Sequence, residues 1–190
     1  QSHSLKVKRL GSKDNVKFNF AGATNYDFEL QSAHVCQSAS AIVPFAKESA
    51  AASQSEVFRT ADELSVADLQ SKGGELYMLE NMQGICFSEG DVRSEETIVN
   101  SKKAITTYLA FEGRLDKHDG TGYNKVTCRY YFGSGVECAV KRNLVTDLDL
   151  NMTNSVEDHD IWIVTPEDPY NNGYIVFYPD HVNMRTDGEW

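Results

Sequence analysis

Glu112, Arg129 and His159 are the residues whose types could carry out a reaction. They would supply a carboxylate general base, a guanidinium to clamp a phosphate, and an imidazole general acid. Their order along the chain suits cleavage of a phosphodiester, although no flanking motif accompanies them. Gln1-Ser2-His3 could surround a copper(II) ion with an amine, two backbone amides and an imidazole, an arrangement we read as chance. Asp116-Lys117-His118-Asp119-Gly120-Thr121-Gly122 opens like a calcium loop but lacks the acidic twelfth position and the flanking helices, and reads as a connector. Asp158-His159-Asp160 and Asp180-His181 could meet as a metal or acid–base site, yet acidic loops on an acidic chain ordinarily face water. Serine nucleophile elbows, H-E-x-x-H, phosphate-binding glycine loops and paired C-x-x-C are absent. The expectation is a protein without enzymatic activity, metal or cofactor.

Bulk composition narrows the partners. A net charge of −10 and a pI of 4.9 repel phosphate backbones and anionic headgroups, so nucleic acid is not expected as a partner. The hydrophobic share of 41% with 11% aromatics suits a folded domain and not a disordered one. No stretch approaches the ~20 apolar residues of a membrane helix. The partner is expected to be a protein or surface ligand, with the chain itself a monomer.

Four cysteines without a close pair fit disulfides better than zinc. Cys128 and Cys138 flank a hairpin around Gly133-Ser134-Gly135, so the expected bridges are Cys128–Cys138 and Cys36–Cys86. Asn151-Met152-Thr153 is a glycosylation sequon. Together these predict a secreted, extracellular protein, with Gln1 as the mature end after removal of a signal peptide.

The positioning elements read mostly as strands. Residues 1–15 are polar and basic and read as a flexible arm, leaving 16–190 as one β-rich domain. Val16, Phe18 and Phe20 alternate with polar residues, as do Tyr26, Phe28 and Leu30, with a turn between. Residues 46–72 read as the helical insert, with the capping box Ser53-x-x-Glu56 and Gly73-Gly74 at its end. Leu76 to Leu79 and Ile85 to Phe87 flank a turn at Asn81-Met82-Gln83-Gly84. Ala104 to Phe111, Lys125 to Phe132 and Val136 to Leu144 read as further strands. A last hairpin pairs Ile161 to Val164 with Tyr174 to Tyr178. The predicted fold is mainly β (α+β), an antiparallel sandwich or barrel with one helical insert and disulfide bonds. The tip of the last hairpin carries the candidate contact residues Glu167, Asp168 and Tyr170. Tyr170 is an amphipathic anchor, and Pro166 and Pro169 limit the loop's freedom.

Val16-Lys17-Phe18-Asn19-Phe20-Ala21-Gly22-Ala23 and Gln83-Gly84-Ile85-Cys86-Phe87 resemble segments of small secreted fungal proteins of effector type, and Lys8-Arg9 suits their processing. The resemblance implies virulence-related binding of a host partner and transfers no catalytic residue. A lipocalin-like binder of small ligands is the alternative, with Phe18, Phe28, Tyr108 and Tyr130 lining a barrel cavity; the Gly-x-Trp near the first strand of typical lipocalins is missing. The triad Glu112, Arg129 and His159 resembles that of secreted guanyl-type ribonucleases, which makes an RNA-cleaving enzyme the second alternative.

Overall fold

A computed structural model describes residues 9–20, 26–40, 57–59, 63–91, 93, 95, 97–117, 123–152, 162–164, 174–177 and 181–187. In chain order they form β1 (Gly11–Phe20), β2 (Tyr26–Cys36), β3 (Ser38–Ala39), β4 (Val57–Arg59), α1 (Val66–Gln70), β5 (Gly74–Leu79) and β6 (Asn81–Ile85). There follow α2 (Asn100–Lys103), β7 (Tyr108–Lys117), β8 (Tyr123–Tyr131), β9 (Glu137–Val140), β10 (Val145–Met152), β11 (Trp162–Val164), β12 (Tyr174–Phe177) and β13 (His181–Asp187).

Among the described residues two larger sheets form, one ordered β13-β10-β1-β5 and the other β11-β12-β8-β7-β2, together with the two-stranded sheets β3-β4 and β6-β9. Most ladders are antiparallel; β1 with β10 and β12 with β8 are parallel. Alternation fixes the inner faces. Val16 and Phe18 of β1, Leu76 and Met78 of β5, and Leu148 and Leu150 of β10 are buried, while Lys17, Glu75 and Tyr77 face water. From the second sheet Leu30, Ala33, Val35, Leu109, Phe111 and Tyr130 enter the same core. Phe18 stacks on Phe111 at 4.5 Å and meets Phe28 at 5.9 Å. Each such ring contributes about 2–3 kcal/mol by leaving water. The expected mainly β fold is present, as a sandwich.

Of the four aromatics expected to line a barrel cavity, Phe18, Phe28 and Tyr108 do not do so. Phe18 and Phe28 fill the space between the sheets, and Tyr108 packs in a second cluster beside Tyr131. Strand β1 starts at Gly11, inside the stretch read as an arm, because Ser12 and Asp14 carry the inward alternation back with polar side chains. The helical insert shrinks to α1 among the described residues. Ser65 caps it by accepting from the Asp68 amide, and Gly73 at φ +96° turns the chain out of it. Val57, read as helical, lies in β4; Ser53 and Glu56 lie outside the described residues. Asn81 to Gly84, read as a turn, belongs to β6. The final hairpin holds, with Trp162 opposite Val176 and Val164 opposite Tyr174.

Candidate functional site

Gly133 decides where the chain goes after β8. Its φ is +127°, and a Cβ there would lie 2.3 Å from the Glu137 carbonyl oxygen. The turn carries β9 away from the large sheet and onto β6, with Gly84 opposite Cys138 and Ile85 opposite Glu137. The turn was legible; the change of sheet was not.

That change corrects the expected disulfides. Cys36, Cys86 and Cys138 are free thiols. Cys128 sits in β8 in register with Phe111 and Phe177, within the large sheet. Cys36 ends β2 and hydrogen-bonds Tyr108. Cys86 instead lies against Cys138, whose thiol hydrogen-bonds it and holds its pKa down; burial opposes this, and Thr106, the Cys138 amide and Lys102 add to it. The same contact, with burial, pushes the Cys138 thiol up. Arg93 frames the pair. It donates to the carbonyls of Gly135 at 2.6 Å, Tyr131 at 2.8 Å and Glu137 at 3.0 Å, and its guanidinium lies 4.8 Å from the Phe87 ring centre.

Two of the three catalytic candidates share one sheet face. Glu112 of β7 is opposite Thr127, which places Arg129 diagonally on the same face. Glu112 accepts from Ser32 at 3.3 Å. Arg129 is ion-paired with Glu95 and stacks over Tyr108 at 5.1 Å, so its charge pins a loop to the sheet. His159 lies outside the described residues, as do Glu167, Asp168 and Tyr170. Asn151 is near the end of β10, in register with Asn19 and His181. No cluster of three metal-ligating side chains occurs among the described residues.

A cavity of about 310 Å³ opens where β1, β10 and the β8–β9 turn meet. Tyr130, Phe132, Leu144 and Leu148 give it an apolar wall, and Ser12, Asp14 and Thr146 a polar one. Asp14 is 4% exposed and accepts from Ser12 Oγ at 2.7 Å. Burial pushes its carboxyl up to about 6, against the hydrogen bonds from Ser12 and Thr146. The cavity can hold a small group carrying a positive charge or a hydrogen-bond donor. Sequence reasoning missed it; counting back by twos from Phe18 and Val16 reaches Asp14 and Ser12 and was the available signal.

No family profile matches the chain, and no curated protein does. Solved structures do match. One, a cell adhesion candidate from Parabacteroides distasonis, superposes with a TM-score of 0.52 at 12% identity, over 95% of this chain and 51% of the other. A second adhesion candidate, from Bacteroides eggerthii, gives 0.49 at 11% identity, over 96% and 56% of the two chains. A tip fimbrial protein of Porphyromonas gingivalis gives 0.39 at 15%, over 96% and 52%. The chain thus spans about half the length of the first structure it matches, with which it shares a fold.

Proposed function

We propose that this sandwich belongs to a non-enzymatic extracellular protein that binds a protein or surface partner. The observation that carries the reading is the fold shared with a cell adhesion candidate over 95% of this chain. The occupied state of Arg129, held by Glu95 and Tyr108, favours binding over phosphate chemistry. A host protein as the partner, the role implied by the effector-type resemblance, falls within the same proposal. The loop with Glu167, Asp168 and Tyr170 is the proposed contact surface.

The test is binding of the labelled chain to cultured epithelial cells and to immobilised fibronectin and collagen. Saturable binding that weakens several-fold as NaCl rises from about 0.05 to 0.3 M is expected for an acidic contact loop. A Tyr170→Ala, Asp168→Ala double variant loses most of it. Absence of saturable binding on every surface overturns the proposal, as does cleavage of added RNA that disappears in Glu112→Ala. A second reading rests on the Asp14 cavity: uptake of a small amine, seen as a calorimetric signal with butylamine that Asp14→Asn abolishes.

A further inference from the structure

We propose that Cys86 and Cys138 form a disulfide when the chain folds in the presence of a low-molecular-weight disulfide such as oxidised glutathione. Their proximity comes from backbone pairing that neither cysteine creates. The β6–β9 ladder sets Gly84 opposite Cys138, and beyond it the Cys86 amide donates to the Val136 carbonyl at 2.9 Å. Both side chains are buried, at 0% and 1% exposure, in one cluster with Phe87, Ile98 and Tyr131. Cys36 is engaged elsewhere by Tyr108, and Cys128 lies on a strand of the other sheet.

The surroundings of Cys86 favour its thiolate, the nucleophile that opens the exchange. The Cys86 sulfur is 3.7 Å from Thr106 Oγ1 and also faces the Cys138 amide and the charge of Lys102. The Cys138 sulfur is 3.8 Å from an Arg93 guanidinium nitrogen. Cys86 as thiolate attacks one sulfur of oxidised glutathione, breaking its S–S bond and releasing one glutathione thiolate. Cys138 then gives its proton to water and attacks the Cys86 sulfur of the mixed disulfide, expelling the second glutathione. Two protein thiols are oxidised, and one glutathione disulfide is reduced to two thiols. Because both sulfurs are buried in the folded chain, glutathione has to reach them while the chain folds.

The whole chain, refolded with oxidised and reduced glutathione, is alkylated without reduction and cut with trypsin. The expected product joins residues 73–93 to residues 130–141. Reduction should then lower Tm by roughly 5–15 °C, the scale for opening a loop of about 50 residues. A Cys36→Ser, Cys128→Ser double variant should keep both the linked peptide and the Tm change, and Cys138→Ser should lose both. The peptide map of the unaltered chain decides the matter if Cys138→Ser does not fold. Recovery of both peptides as alkylated thiols overturns the proposal. So does a link from either one to residues 18–47 or 126–129.

Discussion

The space between the two sheets and the cluster around Cys86 are both buried, yet they are held by different forces. Between the sheets the contacts are apolar and come from alternating residues of β1, β2, β5, β7 and β10. They are non-directional, so their stabilisation follows the area removed from water. Around Cys86 the contacts are directional. Arg93 reaches three carbonyls, Asn81 donates to Ile105 O at 2.9 Å and Thr107 Oγ1 at 3.0 Å, and Gln83 donates to Asn81 at 2.7 Å. Nearby, Arg142 Nε donates to the buried Glu80 carboxylate at 2.8 Å. The comparison teaches that one region tolerates change of shape poorly, whereas the other tolerates loss of a hydrogen-bonding partner poorly.

The largest effect should come from the first region. Phe111→Ala removes the ring stacked on Phe18 and should cost about 4 kcal/mol in urea unfolding, with the sheets still formed. A loss below about 1 kcal/mol would mean that the sheets do not depend on this contact.

Asp14 lines a cavity beside the first region, and its effect on stability has a sign. Its folded pKa is about 6, above the ordinary carboxylate value near 4. The folded state therefore holds the proton more tightly, and stability falls as pH rises through that interval. Asp14→Asn should then stabilise the protein at pH 8 by at most about 3 kcal/mol, with the gain gone by pH 4. An equal gain at both pH values would show that titration of Asp14 is not its source.

The smallest effect should come from Arg93→Ala, about 2 kcal/mol, because part of the side chain reaches water. It should loosen the β8–β9 turn selectively, seen as faster amide exchange at Glu137 and Ala139 with little change at Val16 or Phe18. Uniform acceleration would merge the two regions into one cooperative unit.

Phe18, Leu76 and Phe111 were legible as core because strand alternation is written in adjacent residues. Ser12 and Asp14 were not, since polar side chains hide an inward face from a hydrophobic pattern. Val57, Ala61 and Leu64 offered helical spacing behind the capping box Ser53-x-x-Glu56, but pairing with Ala39 placed Val57 in a strand, as tertiary contacts override local propensity. The Gly133-Ser134-Gly135 turn was visible, and its consequence for Cys138 was not.

The sequence by itself determined a mainly β chain with an acidic surface, a turn after β8 and a closing hairpin, because charge, glycine and period-two patterning are local properties. Tertiary structure decided which strands became neighbours. β1 lies between β10 and β5, and β9 leaves β8 for β6, through contacts between residues far apart in the chain. Those pairings put Asp14 in a cavity, Arg129 on Glu95 and Cys86 on Cys138. No local pattern encodes them, since each depends on which buried faces match across the whole fold.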